Sequence, residues 1–149
     1  MEIELNKTAP DFTILDWQEK EFTLSSYRGQ KNIFLVFNRG FVWPYCRKHM
    51  VQLRQAYSLF QERETIVVAV GPEEKEAFAK YWKDNHMPFI GIPDPEHKVA
   101  DLYGQKVSMV KLGRMPAQMI IDKQGILRYV YYGNSMKDIP SNEEIIRQL

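Results

Sequence analysis

Apolar residues recur along this chain with two periods, and the switching between them outlines an α/β arrangement. Asn32-Ile33-Phe34-Leu35-Val36-Phe37 and Thr65-Ile66-Val67-Val68-Ala69-Val70 are nearly continuous apolar runs. Short runs without alternation mark strands covered on both faces. Residues 11–16 and 21–24 flank a polar turn and predict an N-terminal β-hairpin. From Pro44 the period changes. Cys46, Met50, Leu53, Tyr57 and Phe60 are spaced by 4, 3, 4 and 3 positions, which is one face of a helix. Pro44 suits the first turn of that helix, where its missing N–H costs nothing. Gly71-Pro72 opens a second helix with Ala77, Phe78, Tyr81 and Trp82 as its apolar positions. Asp94-Pro95 reads as the N-cap and first residue of a third, closed by Gly104. Residues 117–122 and 126–131 flank Lys123-Gln124-Gly125, a hairpin signal. Ser141-Asn142-Glu143-Glu144 has capping-box spacing and starts a C-terminal helix. Strands that alternate with helices and then close in a hairpin predict a layered α/β domain. Its central sheet is mixed and its helices lie on both faces.

Composition narrows the class. The length of 149 residues predicts one domain, residues 1–149, with a sizeable core. A net charge of +1 gives no global drive toward nucleic acid or acidic lipid, and no aromatic–basic interleaving supports nucleic acid. Met1-Glu2-Ile3-Glu4-Leu5-Asn6-Lys7 lacks the basic and long apolar regions of a secretory signal. No run is long enough to span a membrane. A single cysteine cannot form an internal disulfide, so a cytoplasmic location is expected. His49, His86 and His97 are scattered without metal-ligand spacing, and neither a phosphate-binding loop nor a nucleophile elbow occurs. No metal or cofactor is expected. Glu73-Glu74-Lys75-Glu76 reads as the solvated start of a helix.

The single cysteine, Cys46, carries the sharpest chemical suggestion. It lies where the run 32–37 gives way to the helical pattern. In the first helical turn, unpaired N–H groups and the helix dipole favour an anion. Residues 22–61 contain no Asp or Glu, but do contain Arg28, Lys31, Arg39, Arg47, Lys48, Arg54. A free thiol is about 3% ionised at pH 7, and bringing its pKa near 6 takes about 3.5 kcal/mol. The helix start supplies roughly 0.3–2 kcal/mol of this, so a close cation is required. Arg39 and Arg47 are the nearest candidates. The same cysteine shares a face with Met50 and Leu53, and unpaired Cys is among the most buried residue types. On these residues alone, nucleophile and packing residue both stay open. Trp43 and Tyr45 either roof a thiol pocket or pack.

Asn38 to Met50 resembles the active-site segment of the alkyl hydroperoxide reductase/thiol-specific antioxidant group, the thioredoxin-fold peroxiredoxin superfamily. Ala9-Pro10-Asp11-Phe12-Thr13-Ile14 and Leu24-Ser25-Ser26-Tyr27-Arg28-Gly29 are similar to that family's N-terminal hairpin. Pro116, the strand ending in Ile121-Asp122, and Gly125 resemble its late strand pair. The stretch from Gly133-Asn134 to Glu144 resembles the tail of the peroxiredoxin-like branch. The resemblance implies a thioredoxin-like three-layer α/β/α sandwich with a central mixed sheet and an N-terminal β-hairpin. Where that branch often carries Trp-Cys-Pro-Phe/Tyr-Cys, this chain has Val42-Trp43-Pro44-Tyr45-Cys46. Cys46 matches the peroxidatic position, and Trp43 stands where the first Cys would be.

The implied activity is a one-cysteine thiol peroxidase. Cys46 would attack a hydroperoxide, become a sulfenic acid and be restored by an external thiol, either a low-molecular-weight thiol or a thioredoxin-like protein. The alternatives are a monothiol disulfide reductase, with a disulfide as substrate, and a thioredoxin-fold binding or structural protein whose Cys46 is buried and inert. Family members often dimerise, so a homodimer is possible. Arg39 and Arg47 are the candidate catalytic cations; Trp43, Pro44, Tyr45, Arg114 and Pro116 are candidates for the pocket. The chain departs from the family pattern at four places, one of them the typical Arg before the late strand, which is displaced. Arg39 replaces a Pro seven residues before the Cys, Trp43 replaces a Thr or Ser three residues before it, and His49 replaces a Glu three residues after it. Pro116 occupies about the place of the thioredoxin cis-proline, with Arg114 two residues earlier.

Overall fold

The computed structural model describes residues 2–108 and 113–149. Thr13–Leu15 (β1) and Glu21–Thr23 (β2) pair antiparallel in the expected N-terminal hairpin, and a short 3-10 turn, Leu24–Tyr27, follows. The apolar runs become Asn32–Phe37 (β3) and Thr65–Gly71 (β4), joined in a parallel ladder. Ile90–Pro93 (β5) adds in parallel beside β4. Ala117–Ile121 (β8) runs antiparallel on the other side of β3, and Leu127–Tyr132 (β9) completes the sheet. The order β5-β4-β3-β8-β9 is the mixed sheet expected from the sequence. Val107–Ser108 (β6) and Gly113–Arg114 (β7) pair antiparallel in a small separate sheet that the sequence pattern did not announce.

Alternation along the central strands sorts the core into two layers. Ile33, Leu35 and Phe37 of β3 face Phe22, Leu24, Val99 and Tyr103, contributed by the N-terminal segment and the helical segment after β5. Phe34 and Val36 face Met50, Leu53, Phe60, Phe78, Trp82 and Ile145. These last six lie on Pro44–Gln55 (α1), Tyr57–Glu62 (α2), Lys75–Asp84 (α3) and Asn142–Arg147 (α5). One face is therefore covered by four helices. The other is covered by Lys98–Leu102 (α4) together with the N-terminal hairpin.

The helical stripe from Cys46 to Phe60 is interrupted at Ala56, which separates α1 from α2. The Gln52 carbonyl there accepts both the Ala56 N–H and the side-chain amide of Asn142 on α5. Asp94 also departs from the expected role. The helix starts four residues later, after His97 in the left-handed conformation, yet the Asp94 carboxylate accepts the N–H groups of Lys98, Val99 and Ala100 at 2.8–3.1 Å. The capping chemistry is as expected, but Pro95 lies in a turn rather than at the first helical position. Ser141 caps α5 by accepting the Glu144 N–H, as its spacing predicts. Asp122 and Gly125 (φ 81°) build the β8–β9 turn.

Candidate functional site

The site forms where β3 ends and α1 begins, at the same sheet edge as the loop after β4. Trp43 is the N-cap of α1 and Pro44 its first residue, so Cys46 sits in the first turn, as predicted. The N–H groups of Arg39 and Gly40 donate to its sulfur. Phe41 anchors the loop by stacking its ring on Tyr81 of α3 at a centroid distance of 4.1 Å. Gly40 has φ 135°, a region open to glycine, and a Cβ there would lie 3.1 Å from Glu73 Oε2 and 3.5 Å from the Trp43 ring.

Burial overturns the expected acidity of the thiol. Cys46 is 1% exposed, and desolvation pushes its pKa above the ordinary thiol value. The Arg39 and Gly40 N–H groups and the Arg39 charge oppose that rise, while the Glu73 carboxylate adds to it. Two loop N–H groups and one cation, Arg39, therefore moderate a raised pKa rather than setting a lowered one.

The two arginines proposed for the thiol separate. Arg39 is 4% exposed, with its guanidinium 4.1 Å from the Trp43 ring centroid and its Nε donating to the Arg114 carbonyl at 2.9 Å. Arg47 projects from the outer side of α1 and donates weakly to the carbonyls of Phe41 and Val42 at 3.4 and 3.5 Å. Arg114 is buried beside Arg39, and its Nη2 donates to the Asp94 carbonyl at 2.8 Å. Burial holds its pKa below the usual guanidinium value. Pro116 is buried against Gly133, whose N–H its carbonyl accepts at 2.8 Å. The Met115–Pro116 bond is trans. Trp43 is half-buried under Arg39, whereas Tyr45 is 42% and Val42 74% exposed, forming an apolar rim.

Two contributors escape a linear reading. Glu73 is partly buried, not a solvated helix start: its Oε2 accepts the Phe41 N–H at 2.7 Å. Gln105 is buried and its amide bridges the carbonyls of Asn38 and Met115 at 3.0 and 2.8 Å, tying the exit of β3 to the β7–β8 connection. A signal for Glu73 exists in the topology. Loops that follow adjacent parallel strands emerge at one sheet edge, and Glu73 follows β4 as Arg39 follows β3.

This arrangement can stabilise a sulfur anion by two N–H groups and one cation at a helix start. A match over residues 5–130 with the model of the AhpC/TSA family agrees with it, and the chain belongs to that family. The chain is 30% identical to Peroxiredoxin Bcp of Bacillus subtilis (strain 168) over 132 residues, 85% of this chain and 83% of that protein. It is also 30% identical to thiol-disulfide oxidoreductase ResA of Geobacillus thermodenitrificans, over 97% of this chain and 79% of that one. Among solved structures it is similar in fold to Peroxidoxin BcpB from Mycobacterium tuberculosis. There the TM-score is 0.85 at 18% identity, with 98% and 96% of the two chains covered. The chain is accordingly an oxidoreductase of the peroxiredoxin type with a thioredoxin-like fold, as the resemblance in its sequence implied.

Proposed function

We propose that residues 1–149 act as one domain that reduces hydroperoxides through Cys46 alone. The Cys46 thiolate attacks the terminal oxygen of R–O–O–H. The O–O bond breaks, sulfenic acid forms on the sulfur, and the leaving alkoxide takes a proton to become the alcohol. One external thiol then condenses with the sulfenic acid, releasing water and forming a mixed disulfide. A second displaces it, restoring Cys46 and leaving as a disulfide. Cys46 is the chain's only cysteine, so both thiols come from outside.

The observation that carries this reading is the pair of N–H donors from Arg39 and Gly40 on the sulfur, reinforced by the Arg39 charge. A cysteine that serves only packing has no use for them. Within the pocket we assign Arg39 to the thiolate, Arg114 to support of Arg39, and Trp43, Pro44 and Tyr45 to the wall above the thiol. Pro116 shapes the sheet edge, and Arg47 holds the outer loop. With Cys46 1% exposed, the 41–45 segment must open to admit substrate.

Stopped-flow consumption of hydrogen peroxide by the reduced protein, with mass detection of a sulfenic adduct, tests the proposal. Equal rates for the parent and Cys46→Ser would end it. The likeness to a thiol-disulfide oxidoreductase favours a second reading, in which Cys46 attacks a disulfide and forms a mixed disulfide. A faster reaction with a small disulfide than with peroxide would select it. Cytoplasmic residence and a homodimer using the Val42–Tyr45 rim complete the proposal; the dimer is tested by light scattering of the wild type and Val42→Glu. No helix among the described residues is long and apolar enough to cross a membrane.

A further inference from the structure

Three successive main-chain N–H groups leave the end of β3 and are shared between two acceptors. Those of Arg39 and Gly40 donate to the Cys46 sulfur. The next, from Phe41, donates to Glu73 Oε2 at 2.7 Å, across 32 residues of sequence. Gly40, at φ 135°, is the pivot that lets neighbouring N–H groups aim at different partners. The fit around it is tight, since a Cβ on Gly40 would approach Glu73 Oε2 to 3.1 Å. The thiol and the carboxylate thus flank one glycine. The second carboxylate oxygen, Oε1, is buried and meets no hydrogen-bond donor among the described residues. A capping interaction alone does not require an acid here, because a neutral acceptor would hold the same N–H.

We infer that Glu73 is the positioning residue of the thiol site, pinning the Phe41 N–H so that the Arg39 and Gly40 N–H groups stay on the sulfur, while its charge opposes the thiolate. The inference rests on Cys46 being the reacting thiol. The charged and titratable groups around Glu73 come from every element packed there. They are Cys46 from α1, Tyr81 from α3 and Arg114 from β7, with Arg39 from the β3–α1 loop acting on Cys46 and Arg47 and Arg54 from α1 acting on Tyr81. Burial raises the Glu73 carboxyl above the ordinary range, and burial with the Glu73 charge raises the thiol. The pin and the charge act in opposite senses on the same sulfur: the N–H groups favour the thiolate and the Glu73 charge disfavours it.

Two variants separate those senses. Glu73→Gln keeps a carbonyl for the Phe41 N–H and removes the charge; Glu73→Ala removes both. Thiolate absorbance near 240 nm and the iodoacetamide rate are followed from pH 5 to 11, with amide exchange of Phe41 as the check on the pin. In Glu73→Gln the thiol should titrate at lower pH than in the parent. At pH 8 it should alkylate about threefold faster, the gain in thiolate exceeding the loss of nucleophilicity. In Glu73→Ala the thiol should titrate at higher pH than in Glu73→Gln, with faster Phe41 exchange. An unchanged titration in Glu73→Gln overturns the role of the charge, and identical titrations in the two variants overturn the pin. None of the three readouts uses peroxide. A thiol that behaves as described yet ignores peroxide refutes the peroxidase reading and leaves this one standing.

Discussion

Replacing Arg39 by methionine removes a buried positive charge from beside the thiol and leaves a side chain of comparable reach. The structure assigns that charge two separable effects. First, the guanidinium lies 4.1 Å from the Trp43 ring centroid and donates to the Arg114 carbonyl. A desolvated cation–π contact is worth about 2 kcal/mol, and a buried carbonyl that loses a donor costs about 1–3 kcal/mol. Burial of the methionine offsets part of this, so a net loss of about 2–3 kcal/mol is expected in urea unfolding. Second, the Arg39 charge favours the thiolate. An opposite charge at close range changes the ionised fraction by about one to two decades. A more basic sulfur is more nucleophilic, with a slope of about 0.4–0.5, which returns nearly half of that on a logarithmic scale. Arg39→Met should therefore alkylate with iodoacetamide roughly four to twelve times more slowly at pH 7. Arg39→Lys keeps the charge without the planar fork, so it should recover most of the rate but little of the stability. A folded Arg39→Met that reacts within a factor of two of the parent would show that this charge does not reach the sulfur.

Two further perturbations test the scaffold. His49 is buried on α1 and desolvation pushes its pKa down from 6.5 to about 4, so between those values the unfolded chain binds a proton that the folded chain refuses. Stability should then fall by about 3 kcal/mol as pH drops from 6.5 to 4, and His49→Leu should flatten that part of the urea-midpoint curve; parallel curves for the two proteins refute it. Asp94→Ala leaves three N–H groups at the start of α4 without their acceptor and should cost about 2–4 kcal/mol, with Asp94→Asn intermediate. Amide exchange at Lys98, Val99 and Ala100 should quicken in the same order, and unchanged exchange would show that the carboxylate does not hold the helix start.

The strands and most helices are legible in the sequence because each answers to a local period. Ile33 to Phe37 is apolar at every position because both faces of β3 are covered, by the helices on one side and by α4 with the hairpin on the other. The start of α4 is not legible, because His97 turns left-handed and lets a carboxylate four residues away do the capping. The site divides along the same line. The place of Cys46 in the first turn of α1 follows from Pro44 and the helical stripe, but its acidity does not. The acid-free window from Phe22 to Gln61 counts charges along the chain, whereas the sulfur responds to charges across the fold. Of the cations in that window Arg39 turns inward while Arg47 stays on the outer side of α1. The opposing carboxylate comes from outside the window, because β3 and β4 are parallel neighbours and deliver their following loops to one edge. Burial is the largest influence and favours the neutral thiol; the Arg39 and Gly40 N–H groups and the Arg39 charge oppose it, and the Glu73 charge adds to it. Position at a helix start makes a thiolate possible; burial and the groups that face the sulfur across the fold decide how readily it forms.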